Sequence, residues 1–169
     1  MTLIRRPVFW IITAVLVLAV AVGLYLFQPW RLFTTVRVDE AAPAPTGRQV
    51  PGNAERLATG TFITHEHETS GSVEIQKLAD GNTSLRLTNL RTSDGPALHV
   101  WLSDQPVKPG DWKNLDDGRH IDLGDLKGNE GNQNYAIPPG TDLDTFSTVT
   151  IWCERFSVSF GAAELKQSV

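Results

Sequence analysis

Hydrophobic positions divide this chain into two unlike parts. From Val8 to Phe27 run twenty residues without a charge, Thr13 being the only mildly polar side chain among them. As an α-helix rising about 1.5 Å per residue, that run spans roughly 30 Å, the thickness of a bilayer's hydrocarbon. From Ala58 onward the apolar runs are short, alternate with polar residues and are broken by turns. Thr61 to His67 is predicted as a first strand. Val73-Glu74-Ile75 and Leu85-Arg86-Leu87 flank Ala79-Asp80-Gly81-Asn82, which predicts a hairpin. Leu98 to Leu102 alternates again after the turn cluster Thr92–Pro96, and His120–Leu123 and Tyr135–Ile137 are further short strands. Asp142 to Phe146 reads as a single helical turn.

The stretch 149–161 closes the pattern. Val149, Ile151 and Cys153 share one face at the two-residue period of a strand, and Phe156, Val158 and Phe160 resume that period one residue out of phase. Such a slip predicts a β-bulge or a very tight corner at Glu154-Arg155. Eight or so short strands without a long helical period predict an all-β fold. It is expected as a compact antiparallel β-sandwich or barrel preceded by one N-terminal transmembrane helix.

The organisation follows from the same pattern. Residues 1–30 are read as a membrane anchor with its helix at about 8–27, residues 31–57 as a Pro/Ala-rich linker, and residues 58–169 as the β domain. The 169 residues suffice for one domain with appendages. Trp10 near one end of the apolar run, and Tyr25 and Trp30 near the other, suit interfacial aromatic belts. Ala19-Val20-Ala21 resembles a signal cleavage site, but apolar residues continue through Leu26-Phe27 with no polar region before the cut. That favours an uncleaved anchor. Arg5, Arg6 and the amino terminus outweigh Arg31 and Arg37, so the expected location is the cell membrane, single-pass, with the C-terminal domain outside the cytoplasm. Ala41 to Gly47 and Pro51-Gly52-Asn53 are expected to resist helix and sheet and to act as a tether.

Charge narrows the partners. Residues 1–57 carry six Lys or Arg against three Asp or Glu, whereas residues 58–169 carry nine against sixteen. An acidic domain on a mildly basic stem offers no clustered basic face for nucleic acid. A single cysteine excludes an intrachain disulfide.

Cys153 has two readings that the residues leave open. A lone cysteine in an apolar strand is commonly a small buried hydrophobe, and only its reactivity gives it another use. Arg155 would favour the thiolate if the corner leaves it beside the sulfur, and Trp152 puts a large π system next to the thiol along the chain. His65-Glu66-His67 sets two imidazoles on one strand face, a spacing able to chelate a metal but short of a ligand set. His99 and Trp101 share a strand face and either line a pocket or cover the sheet, and Tyr135 is a further binding candidate. No residues are assigned as metal ligands. Asp116, Asp117, Asp122 and Asp125 lack the spacing of an EF-hand and read as a solvated acidic loop. Cys-x-x-Cys-His, Gly-x-Ser-x-Gly, His-Glu-x-x-His and a phosphate-binding glycine loop are all missing from the sequence.

The order of several short motifs carries a family resemblance. Gly60-Thr61-Phe62, His67-Glu68-Thr69-Ser70-Gly71, Thr92-Ser93-Asp94-Gly95-Pro96, Val100-Trp101-Leu102-Ser103, Leu126-Lys127-Gly128-Asn129, Gly131-Asn132-Gln133-Asn134-Tyr135 and Ile151-Trp152-Cys153-Glu154-Arg155-Phe156-Ser157-Val158 together resemble the DM-thirteen domain over about residues 58–165. The resemblance implies a β-rich extracytoplasmic module, often found beside DOMON domains and proposed to take part in electron transfer. Its characteristic cysteine would act as a bare thiol or help hold a prosthetic group such as haem. Carried over, that cysteine is Cys153 and the motif histidine is His67. No DOMON or cytochrome domain accompanies the module in this sequence, so a redox partner is expected to be a separate protein. The expectation is a membrane-anchored redox module centred on Cys153, supported by His67, Trp152 and Arg155. Its cofactor is unknown, with haem, a metal such as copper, or none left open. The alternative is a non-catalytic cell-surface binding module that grips a partner through loops such as Lys127–Asn134, with Cys153 as core packing.

Overall fold

Residues 7–43 and 55–168 are described by a computed structural model of the chain. Arg5 and Arg6, and the proline-rich residues from Ala44 to Asn53, lie outside the described residues. Helix α1 covers Pro7–Phe27, with a mean hydropathy of 2.6 and no buried residue. Proline at its first position costs no hydrogen bond, because the first N–H groups of a helix have no intrahelical partner. The helix is exposed along its length and long enough to cross a bilayer. A signal sequence has the same properties.

The rest is mostly β. In chain order the strands are β1 Arg37–Asp39, β2 Glu55–Thr61, β3 Ile63–Thr64, β4 Ser70–Lys77, β5 Thr83–Arg91, β6 Leu98–Ser103, β7 His120–Asp125, β8 Glu130–Ile137, β9 Thr148–Cys153, β10 Val158–Glu164 and β11 Lys166–Gln167. They form two sheets, ordered β1-β8-β5-β4-β2-β11 and β3-β10-β9-β6-β7. The two ladders remain separate, so the architecture is a sandwich and not a barrel. Every pair is antiparallel except β1 with β8. Val73, Ile75, Leu85, Leu87 and Tyr135 from the first sheet meet Val100, Leu102, Val149, Ile151 and Phe160 from the second in one buried cluster. Full burial of each large aliphatic or phenyl group is worth about 1.5–3 kcal/mol, and this layer holds the two sheets together.

The predicted hairpin is present between β4 and β5. Asp80 accepts the backbone N–H of Asn82 at 3.0 Å, and Gly81 supplies the positive φ of 85°. Two other elements differ from expectation. The first strand ends at Thr61 instead of running to His67, because Phe62 turns into the core and the chain crosses to the other sheet. The stretch 149–161 is two strands, with Cys153 opposite Val158 across a turn at Glu154–Ser157. The phase slip is therefore the tight corner of a hairpin; the register shift within that pair lies further on, between Ser159 and Gly161.

The stretch read as a tether differs most. After α1, a 3₁₀ turn over Pro29–Phe33 leads straight into β1, whose Val38 pairs with Gly131. Arg31 bridges to Asp94 at 3.2 Å, Asn129 Oδ1 accepts the Val36 N–H at 2.7 Å, and Glu40 meets Lys127 Nζ at 2.7 Å. Strand β2 already begins at Glu55. Strand β1 itself is Arg37-Val38-Asp39, which precedes the proline-rich residues and is fixed by its pairing with β8. The proline-rich residues thus join two strands at opposite sides of one sheet, four positions apart, instead of joining helix to domain.

This docking makes a prediction. Gly131 has φ 107°, and a Cβ there would overlap the Val38 carbonyl oxygen. Gly131→Ala is expected to expel β1 and cost about 1–3 kcal/mol. Amide exchange at residues 36–40 should accelerate more than about tenfold while the β4–β5 hairpin stays protected.

Candidate functional site

Strand β9 presents alternate side chains to two different layers. Val149, Ile151 and Cys153 face the core between the sheets. Cys153 is fully buried opposite Leu98 and Val158, and its thiol donates to the Pro96 carbonyl at 3.2 Å. Burial pushes the thiol's pKa up, against weaker opposing effects from the backbone N–H groups of Phe156 and Arg155. The Arg155 side chain does not act as the expected thiolate partner, being the weakest influence on the sulfur. It points the other way, donating to the Leu26 carbonyl at 3.0 Å. A guanidinium at the end of α1 satisfies an orphan carbonyl and complements the helix dipole. Phe156 stacks on Phe27 beside it, at 5.7 Å between centroids. The β9–β10 turn therefore caps the apolar helix.

Trp152 faces outward, as alternation requires, yet it is only 1 % exposed. It stacks on Trp101 at 5.1 Å, and Trp101 stacks on His120 at 3.9 Å with the rings 9° from parallel. Leu115 and Val107, from the long connection between β6 and β7, close over this layer. Trp101 is thus a buried sheet cover.

His99, directly across from Trp152, sits among carboxylates. Its Nδ1 lies 3.1 Å from Asp122, and its Nε2 lies 3.4 Å from Asp125 and 3.5 Å from Glu154. His99, Asp122 and Glu154 bring ligand-type atoms within 4.8 Å of one another, the one such group of three among the described residues. Sequence reasoning missed it because the three stand on or beside different strands, and only the ladder register unites them. Asp122 and Asp125, expected in a solvated loop, belong to β7.

His65 and His67 do not share a strand face. His65 is buried, with Nδ1 2.8 Å from Ser159 Oγ, which in turn lies 2.8 Å from Thr150 Oγ1. His67 leaves the strand and packs against Phe160, with ring centroids 3.9 Å apart and planes tilted by 38°. Burial lowers both imidazole pKa values, with only small opposing effects from Asp111 on His65 and Glu66 on His67. The folded state therefore resists protonation that the unfolded chain accepts. Stability is held at neutral pH and lost as pH falls through the ordinary imidazole range near 6.5. Urea titrations at pH 7, 6 and 5 should show a decline of at most about 1.4 kcal/mol per pH unit per histidine. His65→Gln should make it shallower. The lowered carboxylates Glu40 and Glu74 begin to lose their contribution only on the acid side of this window, near their usual value of 4.5.

Tyr135 is buried rather than available for binding. Its hydroxyl donates to Gln133 Oε1 at 2.8 Å and accepts the Lys127 N–H at 3.2 Å, and burial pushes its pKa up to about 12. Lys127, in the loop expected to grip a partner, is held by Glu40 and the Asn134 carbonyl.

One cavity joins the helix end to the β domain. It has a volume of about 330 Å³ and is walled by Phe27, Leu32, Pro96, Phe156 and Phe160, with His67 at its side. Pro96 separates it from the Cys153 thiol, which bonds to that residue's carbonyl. A larger groove of about 580 Å³ runs past Arg56, Glu74, Glu164 and Lys166 and includes neither His67, Cys153 nor the His99 group.

The residues around the smaller cavity do not fit a haem. One imidazole is available as an axial ligand, the sulfur is turned into the core, and the Arg31 guanidinium is already paired with Asp94. What they offer is an apolar enclosure with one neutral hydrogen-bonding ring.

A family model described as Electron transfer DM13 matches residues 61–165, well over half of the chain. No curated protein and no solved structure matches it.

Proposed function

The chain belongs to the DM13 electron-transfer family, and from that premise we propose that it is a membrane-anchored, extracytoplasmic electron-transfer module working with a separate redox partner. The family match over residues 61–165 carries this reading. Support for the anchor comes from the 21-residue helix α1, almost wholly apolar and without a buried residue. The way Arg155 and Phe156 grip the helix end adds to it, seating the domain where the helix would leave a bilayer.

Cys153 takes a narrower part in this proposal than the resemblance implies. A bare thiol exchanging electrons must reach its partner as a thiolate. Full burial, a bond to Pro96 and a raised pKa all argue against that in the resting fold. We therefore assign Cys153 to packing, and the electron-carrying group to a bound molecule. The same burial favours a second reading, a non-catalytic binding module with a structural cysteine.

Voltammetry separates the two. Full-length protein purified in detergent from its own membranes should give a reversible wave that persists in Cys153→Ala. No wave from either protein overturns the electron-transfer reading, and a wave lost only in the variant returns the chemistry to the sulfur.

A further inference from the structure

We propose that the cavity between the end of α1 and the β domain takes the ring of a membrane-soluble quinone, with His67 hydrogen-bonded to one of its carbonyl oxygens. The inference rests on the membrane-anchored reading and adds a ligand class to it. Three observations converge on it.

The first is shape and lining. The volume of about 330 Å³ lies within the range of small-molecule sites. Phe27 and Phe156 stack with rings 23° from parallel, and Phe160 and Pro96 supply further flat apolar walls. Such walls suit a planar ring.

The second is the polar complement. The His67 ring makes no side-chain hydrogen bond among the described residues, yet it is held in place. The Phe160 ring packs against it at a tilt of 38°, the Phe160 carbonyl accepts the His67 backbone N–H at 3.3 Å, and Thr69 Oγ1 donates to the His67 carbonyl at 2.9 Å. Its lowered pKa keeps the ring neutral at pH 7, with one N–H to give. An acyl chain would fill the apolar walls but leave that N–H unmatched, whereas a quinone carbonyl accepts it. Glu66 and Asp94 also border the cavity, and Arg31 is committed to Asp94. That charge disfavours a phospholipid phosphate and tolerates an uncharged ring.

The third is access. Phe27 is both a cavity wall and the last residue of the apolar helix. A ligand dissolved in the bilayer would reach the opening at the helix end and leave its isoprenoid tail among the lipids.

The test uses the full chain in detergent micelles titrated with decylubiquinone, followed by calorimetry. Saturable binding of one quinone per chain is expected. His67→Phe, which keeps an aromatic ring against Phe160 but removes the ring nitrogens, should weaken binding at least about tenfold. Leu32→Trp, at a half-exposed wall position, should do the same by occupying the cavity. Thermal midpoints of both variants should stay near that of the wild type, and oleate should not compete. Unsaturable uptake, wild-type affinity in both variants, or displacement by oleate overturns the proposal. The anchor is read separately by alkaline carbonate extraction of membranes. Release of the chain into the soluble fraction overturns the anchored reading, whatever the titration gives.

Discussion

Cys153 is expected to react with a thiol reagent at least about a thousand-fold more slowly in native buffer than in denaturant. The sulfur has no exposed surface, lies between Leu98 and Val158, and spends its proton on the Pro96 carbonyl. Reagent can reach it only through an opening of the β6–β9–β10 region, so the native rate scales with the population of the open form. For a domain of ordinary stability that population is below about one in a thousand. Labelling with a chromogenic disulfide, with and without guanidinium, measures the ratio directly. A native rate within tenfold of the denatured one would mean a path to the sulfur and would restore thiol chemistry to the mechanism.

Trp152→Ala is expected to be among the most destabilising single substitutions in the β domain, at about 3–5 kcal/mol. The residue is buried on the outer face of the second sheet, where it supports more than its own contacts. Trp101 stacks on it, His120 stacks on Trp101, and the connection between β6 and β7 rests on the pair through Leu115. Ser103 Oγ ties that connection down by donating to the Leu115 carbonyl at 2.7 Å. Losing the indole leaves a cavity and loosens the cover at once. Near-ultraviolet circular dichroism should lose the signal of the stacked indoles, and the urea midpoint should fall. Trp112→Ala, in the same connection but 39 % exposed, should cost less than about 1 kcal/mol. Equal losses from the two substitutions would refute the account of this layer.

The difficulty of β9 from sequence lies in this same cover. Alternation separated Cys153 from Trp152, but it could not say which face was core, because all six residues of β9 are buried. The connection that hides the outer face is turn-rich and reads as surface. The apolar helix was legible to within a residue, and the β4–β5 turn was legible because Asp80 and Gly81 have local reasons to be there. Strand β1 was not. Three residues at a sheet edge show no alternation to detect, and what fixes them is far along the chain, in Asn129, Gly131 and Lys127. The His99 group was hidden for a related reason, since register and not spacing assembles it. Arg155 was misplaced because a turn residue's direction depends on what stands opposite, here the end of a helix nearly 130 residues earlier.

The docking of β1 bears on how a partner could be met. With Arg31, Thr34, Val36 and Glu40 all engaged by the β domain, hardly any slack separates helix from sandwich. In a bilayer the domain would ride as a low cap and not as a buoy on a line. Encounters would then be governed by lateral diffusion in the plane, favouring carriers that keep close to the same surface over ones dissolved in the bulk.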